Sequence, residues 1–90
     1  MNYSNHAQQR MQQRGIRQEA VDYLLAYGTT HHDHHGGTIF WLDKQSRRRL
    51  EREEGPQILR RLEKQLDAYA VVSHDDCVIT VGHRYKRVKL

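Results

Sequence analysis

Two basic segments, one near each end of the sequence, hold the side chains best suited to chemistry on a phosphate. His6, Arg10 and Arg14 recur at i, i+4 and i+8, a spacing that places them on one face of a helix. The closing segment, His83 to Leu90, carries four Lys and Arg side chains and no acid. An imidazole can pass a proton near neutral pH, and guanidinium groups stabilise charge on a phosphate. Together these groups would suffice for RNA cleavage without a metal.

The positive charge of the chain is concentrated in its closing segment. The formal net charge is +4, and the rest of the chain carries 11 basic and 11 acidic side chains. A neutral body with one cationic edge suggests contact with a polyanion such as RNA, because clustered Lys and Arg release counterions from phosphates. The alternative is a solvated tail, or a charged edge strand that discourages aggregation.

The closing segment continues a β-rich run, and an extended strand from Cys77 to Val88 would sort its side chains onto two faces. Strict alternation predicts Cys77, Ile79, Val81, His83 and Tyr85 on one face, and Val78, Thr80, Arg84 and Lys86 on the other. Here we expect His83 to carry protons, while Arg84, Lys86 and Arg87 stabilise the phosphate.

A histidine cluster between His31 and His35 has the composition of a metal site. Alternation along a strand would split its ligands, with His31, Asp33 and His35 on one face and the other two histidines opposite. A closed site needs a third or fourth ligand from elsewhere. We therefore expect a solvated hairpin strand, with no metal and no cofactor. A metal-linked or structural role of this hairpin is the alternative.

The arginines of the middle region alternate with acids. Arg47–Arg49, Arg52, Arg60 and Arg61 are interleaved with glutamates and Asp67. This pattern is typical of exposed helices with local ion pairs. Auxiliary contact with nucleic acid is the alternative.

The elements that would position these residues can be read from periodicity and turn signals. Two helices are predicted over 4–14 and 17–27, each ended by a glycine, with Ser4 or Asn5 as the first N-cap. Strands are predicted over 29–35 and 38–42, joined by a Gly-Gly turn. A charged helix follows over 43–54.

The second half repeats the helix-then-strand order. A helix is predicted from Pro56, with Ile58, Leu62, Leu66 and Tyr69 as its buried stripe. Strands over 69–73 and 77–81, the second continuing to 87, complete the order α-α-β-β-α-α-β-β. The sequence therefore predicts one α+β domain over residues 1–90, with N-terminal helices packed on a small, mainly antiparallel sheet.

Composition restricts the setting of the protein. No apolar run is long enough to span a membrane, and the N-terminus lacks the pattern of a secretory signal. Cys77 is the only cysteine, which excludes an internal disulfide and favours a buried, inert thiol. We expect a cytoplasmic protein, monomeric or homodimeric, because 90 residues supply limited core material.

The two end motifs together resemble a known family. His6-Ala-Gln-Gln-Arg10-Met-Gln-Gln-Arg14-Gly-Ile16 is similar to the H-A-x-x-R-M-x-x-R-G-I opening of the bacterial domain-of-unknown-function family 4258. Val78–Val81, followed by basic residues, resembles its closing strand. The resemblance implies a fold like that of RelE-like and ParE-like toxins and barnase-like small RNases. It points to His6, Arg10 and Arg14 on the helix, and to Thr80, Arg84 and Lys86 on the strand.

Two functions are compatible with these residues. The first is a metal-independent ribonuclease, such as the toxin of a toxin–antitoxin pair with an acidic partner protein. His6 or His83 would be its acid/base, with Arg10 and Arg84 on the phosphate. The second is a non-catalytic module that uses the same basic surface, including Arg14, Thr80, Tyr85, Lys86 and Arg87, to bind nucleic acid or an acidic protein.

Overall fold

The computed structural model describes residues 2–33 and 36–84, which form four helices and five strands. In chain order these are β1 (Asn2–Tyr3), α1 (Asn5–Arg14), α2 (Gln18–Tyr27), β2 (Thr29–His32), β3 (Thr38–Trp41), α3 (Lys44–Glu54), α4 (Pro56–Leu62), β4 (Ala68–Val72) and β5 (Cys77–His83). The α+β class is therefore as predicted. None of the described helices is long and apolar enough to cross a bilayer.

The ends of α1 follow from local side-chain chemistry. The Ser4 hydroxyl accepts a hydrogen bond from the Ala7 N–H at 3.0 Å, which satisfies one of the free donors of the first turn. Gly15 ends the helix in the left-handed conformation, with φ of 65°, and its N–H turns back toward the Gln12 and Met11 carbonyls. Both signals lie in the sequence, and the predicted helix is confirmed.

The turn after β2 and the start of α3 are each organised by an aspartate. Asp33 accepts the Gly37 N–H at 2.7 Å, while its own N–H donates to the Gly37 carbonyl at 2.8 Å. Asp43 caps α3 by accepting the Ser46 N–H at 2.8 Å. This bond and a hydroxyl contact from Thr29 lower the pKa of the Asp43 carboxyl.

The sheet has the order β1-β5-β4-β3-β2. Its neighbouring strands are antiparallel except for β1, which pairs in parallel with Cys77 and Val78 of β5. The sequence prediction missed β1, because two residues are too few to show a strand period. Through this pairing the first strand delivers α1 directly to β5.

One face of the sheet is covered by the helices. Directly paired residues of antiparallel strands point to the same face, so the register places Ala68, Ala70 and Val72 with Val78 and Val81. These residues join one hydrophobic cluster with helix and loop residues: Ala7, Ile16, Ala20, Val21, Leu24, Leu42, Leu50, Leu62 and Leu66. We call this the covered face.

A bulge in β5 overturns the strict alternation predicted for this strand. Val71 pairs with Thr80 but Val72 pairs with Val78, which leaves Ile79 as the extra residue. Val78 therefore points to the covered face, rather than sharing a face with Thr80. Ile79 is the exposed large apolar residue of the described chain, and Cys77 is half-buried rather than fully buried.

The helix that begins at Pro56 is shorter than its apolar stripe predicts. It ends at Leu62, and Leu66 is buried in the following turn region rather than in a third helical turn. Tyr69 lies in β4, within the strand predicted over 69–73, and not on the helix. The apolar spacing matched a helix, but the run of β-forming residues after Asp67 pairs with β3 and β5, and this pairing ends the helical segment early.

Candidate nucleic-acid interface

The first helix and the last strand lie side by side. At the start of α1, the Ser4 N–H donates to the Val78 carbonyl at 2.9 Å and the Ser4 hydroxyl donates to the Ile79 carbonyl at 3.2 Å. At the other end, the His83 ring contacts the Arg14 carbonyl at 2.8 Å. The structure thus brings the two basic segments together as far as residue 84. Tyr85, Lys86 and Arg87 lie outside the described residues.

His83 joins α1 to β5. Because a carbonyl oxygen only accepts, the ring Nε2 of His83 carries the hydrogen in its 2.8 Å contact with Arg14. The paired residue of His83 is Ala68, so its side chain leaves the strand on the covered face. The ring is therefore held against the end of α1 as a structural clamp.

Arg84 extends from the strand in a different direction. Its backbone N–H continues the ladder to the Asp67 carbonyl at 2.9 Å. Its guanidinium crosses β4 and donates to the Leu42 carbonyl, at 3.4 Å, just beyond the end of β3. His83 and Arg84 therefore contact different carbonyls, that of Arg14 at the end of α1 and that of Leu42 after β3.

The predicted stripe on α1 runs along the helix as expected from its spacing. Its outer members, His6 and Arg14, are exposed. They lie about 12 Å apart along the helix axis, given a rise of about 1.5 Å per residue. Arg10, between them, is half-buried. Its Nε is enclosed and has no hydrogen-bond partner among the described residues. Since enclosed N–H groups are nearly always paired in folded proteins, this atom is a point at which a ligand would gain a contact.

The face opposite the helices, which we call the open face, carries Ile39, Trp41, Tyr69, Val71, Thr80 and Gly82. Among the described residues, none of these six belongs to the hydrophobic cluster of the covered face. Trp41 is buried at the end of β3, whereas Tyr69 and Thr80 are half-buried. Thr80, predicted as a nucleic-acid contact, therefore does lie on an accessible sheet surface.

Tyr69 lies over the backbone of Gly82, its partner on the neighbouring strand. A Cβ placed at Gly82 would come within 2.9 Å of both Cε1 and the hydroxyl oxygen of Tyr69. The absence of a side chain at Gly82 is what lets the ring approach the strand so closely. Sequence reasoning missed this pair. The available signal was the alternation Ala68-Tyr-Ala-Val-Val72, in which small residues face the core, together with a glycine inside the facing strand.

The histidine cluster does not form a metal site in the part of the chain that the structure describes. His31 pairs with Ile39 and His32 with Thr38, which places the two rings on opposite faces of the sheet. His32 instead hydrogen-bonds the Thr38 hydroxyl at 3.1 Å. No three His, Cys, Asp or Glu side chains of residues 2–33 and 36–84 come together around a common point. His34 and His35 are outside these ranges.

The chain belongs to the family described as Domain of unknown function (DUF4258), which matches residues 3–83. The matched region includes the middle of the chain, which the two end motifs alone did not cover. Searches of the curated proteins and of the solved structures returned no match.

Proposed function

We propose that this protein is an RNA-binding module that holds a single strand against the open face. The observation that supports this most directly is the Tyr69 ring lying over Gly82, near one end of a sheet surface that includes none of the described residues of the hydrophobic cluster. Aromatic rings on sheet surfaces serve as stacking platforms for unpaired bases. Each such stack contributes about 1–3 kcal/mol, and does so for any base.

The charges around the platform suit a phosphate backbone. Arg84 follows Gly82 by two residues and reaches along the same end of the sheet toward Leu42. The formal net charge of the whole chain is +4. Phosphates bound by such groups release counterions, which makes the affinity depend on salt. The module would therefore combine stacking on Tyr69 with an electrostatic contact from Arg84.

Binding is favoured over cleavage because of how His83 is held. Its Nε2–H donates to the Arg14 carbonyl on the covered side, away from Tyr69 and Thr80. A general base must come within hydrogen-bond reach of the proton that it removes. RNA lying on the open face would not offer its 2′-hydroxyl to this ring.

A ribonuclease like those of the RelE/ParE toxin group is the second candidate, and the enclosed Nε of Arg10 favours it. A phosphate at this point would pair with an N–H that has no partner among the described residues. His6 is one turn earlier on the same stripe, where its Cβ would lie about 6 Å from that of Arg10. Its ring could act as the acid/base. In this arrangement an acidic antitoxin would cover the α1 surface.

Binding of fluorescein-labelled, mixed-sequence single-stranded RNA, followed by fluorescence anisotropy, tests the proposal. Tyr69→Leu removes the ring and Tyr69→Phe keeps it, so the two variants form a matched pair. We expect Tyr69→Leu to weaken binding roughly 10- to 100-fold and Tyr69→Phe to change it little. Arg84→Gln should weaken binding. It should also reduce the slope of log affinity against log salt concentration by about one, as expected when one phosphate contact is lost.

The same samples separate binding from cleavage. The RNA is run on a denaturing gel after incubation, and thermal melts check that each variant is folded. Intact RNA with Tyr69-dependent binding supports the module. Cleavage that is lost in His6→Ala and Arg10→Gln would instead support the ribonuclease. The proposed RNA-binding face would be overturned if the Tyr69→Leu and Tyr69→Phe proteins bound RNA with equal affinity. It would also be overturned if the wild-type protein did not bind RNA at low salt.

A further inference from the structure

A groove of about 600 Å³ lies between the start of β2 and helix α3, far along the sheet from β5. Its volume is within the range of small-molecule sites in proteins. Three elements line it: the end of α2 with Tyr27 and Gly28, the first residues of β2 with Thr29 and Thr30, and α3 with Gln45, Ser46, Arg49 and Arg52. The lining holds two guanidinium groups and no carboxylate.

Arg49 is held in place before any ligand arrives. Its Nη2 donates to the Tyr27 carbonyl at 2.8 Å, and the guanidinium carbon lies 5.7 Å from the centre of the Tyr27 ring. Stacking and hydrogen bonding use only part of the five donors of an arginine. Arg52, three residues later, is exposed on the same side of α3. Two arginines at this spacing can donate to the same anion.

The acids closest to the groove are engaged with other groups. The Tyr27 hydroxyl donates to Glu54 at 2.6 Å, with Glu53 at 3.4 Å. These contacts, that with Glu54 first, raise the pKa of Tyr27 to about 12. Asp43 accepts the Thr29 hydroxyl at 2.7 Å and also caps α3. These carboxylates thus accept hydrogen bonds from protein donors, whereas Arg52 makes no hydrogen bond or ion pair with the described residues and can donate to a ligand.

A buried hydroxyl completes the groove. Ser46 is 7% exposed, and its Oγ lies 2.9 Å from the Thr29 hydroxyl. Because Thr29 gives its only hydroxyl hydrogen to Asp43, Ser46 is the donor in this contact. Ser46 thus donates to Thr29, Thr29 donates to Asp43, and this chain of hydrogen bonds fixes the polar wall of the groove.

We propose that this groove binds a terminal phosphate group, with Arg49 and Arg52 as its ligands. The volume leaves room for the organic part of a small phosphate ester beside Thr30 and Gln45. The same chemistry occurs at the 5′ end of an RNA strand, so the test separates a free phosphate ester from an RNA end. The groove contains neither Tyr69 nor Arg84, on which the RNA-binding proposal rests, so the failure of either proposal leaves the other standing.

Isothermal titration calorimetry with inorganic pyrophosphate, adenosine 5′-monophosphate and adenosine tests the site. We expect the first two to bind and adenosine to give no heat. Arg52→Gln should weaken both at least about 10-fold, as expected for losing a charge-assisted hydrogen bond. Thr30→Asp, which adds a negative charge at an exposed position of the wall, should abolish binding. Neither change removes a hydrogen bond that the described structure contains.

Arg60→Gln is the matched control, because Arg60 is an exposed arginine on α4 outside the groove. It makes the same change in net charge and should alter affinity less than about 2-fold. Equal losses in Arg60→Gln and Arg52→Gln, or no heat from pyrophosphate at millimolar concentrations, would overturn the proposal. In a parallel arm, 5′-phosphorylated and 5′-hydroxyl RNA are compared. A preference for the phosphorylated RNA that disappears in Arg52→Gln identifies an RNA end, and no preference identifies a free phosphate ester.

Discussion

The Nε2 of His83 lies 2.8 Å from the backbone oxygen of Arg14, although 69 residues separate them in the chain. This hydrogen bond fastens the last described strand to the end of the first helix. The Arg14 carbonyl is one of the carbonyls that have no partner within a helix at its C-terminus, so the ring satisfies a group that would otherwise face solvent. The residue chosen from sequence as a proton carrier is thus used to hold two elements together.

The His83→Ala substitution should therefore lower the stability of the protein more than its affinity for RNA. We expect the free energy of unfolding to fall by about 1 kcal/mol, the net contribution of such a bond, with RNA affinity nearly unchanged. Urea denaturation followed by circular dichroism measures the first quantity, and anisotropy the second. His6→Ala, at an exposed position of α1, serves as control and should change stability by less than about 0.5 kcal/mol. A His83→Ala protein of full stability would show that the clamp is unimportant.

Gly82→Val should disrupt the proposed stacking platform although Tyr69 itself is unchanged. A side chain at this position meets the far end of the Tyr69 ring, which must then swing away from the strand. Since the ring is able to move, we expect a loss of only about 1 kcal/mol in stability, but a loss of RNA affinity close to that of Tyr69→Leu. Adding Gly82→Val to Tyr69→Leu should cause little further loss. Additive losses would mean that the two residues act separately.

Asp43→Ala should destabilise α3 by about 1 kcal/mol, because the N-cap acceptor for Ser46 is lost. Asp43→Asn keeps an acceptor and should lose less. The pKa of Asp43 is lowered from 3.8 in the folded protein, so its stabilisation is present above pH 3.8 and is lost as the pH falls through the folded value. Urea denaturation at neutral and acid pH checks this: the gap between wild type and Asp43→Asn should close in acid. A gap independent of pH would contradict it.

The phenol of Tyr3 should ionise at a higher pH than that of an ordinary tyrosine. Burial, followed by the nearby charge of Asp22 and a hydrogen bond to it, raises the pKa of Tyr3 to about 12. The stabilisation from this raised pKa is complete below pH 10 and is lost as the pH rises through about 12. Tyrosinate absorbance should therefore lose a component near pH 12 in Tyr3→Phe. An unchanged titration curve in this variant would assign that component to other residues.

The local parts of the fold could be predicted because their causes are local. Ser4 and Gly15 mark the ends of α1 through side-chain capping and a left-handed backbone. The β2–β3 hairpin was likewise predicted, but β2 ends at His32 rather than His35. Asp33 bonds to Gly37, so the connection is wider than the predicted two-glycine turn. What could not be predicted depends on distant partners. The parallel pairing of β1 and the bulge at Ile79 both arise from strands that meet only in the folded sheet.

In the candidate site, too, features with local causes could be predicted and those that depend on distant partners could not. The stripe on α1 and its place beside β5 followed from the sequence, since helix spacing and the end motifs are visible there. The directions of His83 and Arg84 did not, because they depend on the Arg14 and Leu42 carbonyls. Tyr69 was assigned both to the end of a helical stripe and to the strand over 69–73, and only the β4–β5 register reveals that it lies on the open face over Gly82.

The position of β5 within the sheet has a consequence for synthesis of the protein. Although it is the last strand described along the chain, it lies between β1 and β4, and it supplies the surface on which α1 packs. While the ribosome is still translating the first seventy residues, β1 therefore has no neighbour to pair with. Folding of the N-terminal helix onto the sheet must wait until β5 has left the exit tunnel, and contacts of such long sequence separation form slowly. Until that moment the side of α1 that carries Ala7 has no sheet surface to pack against.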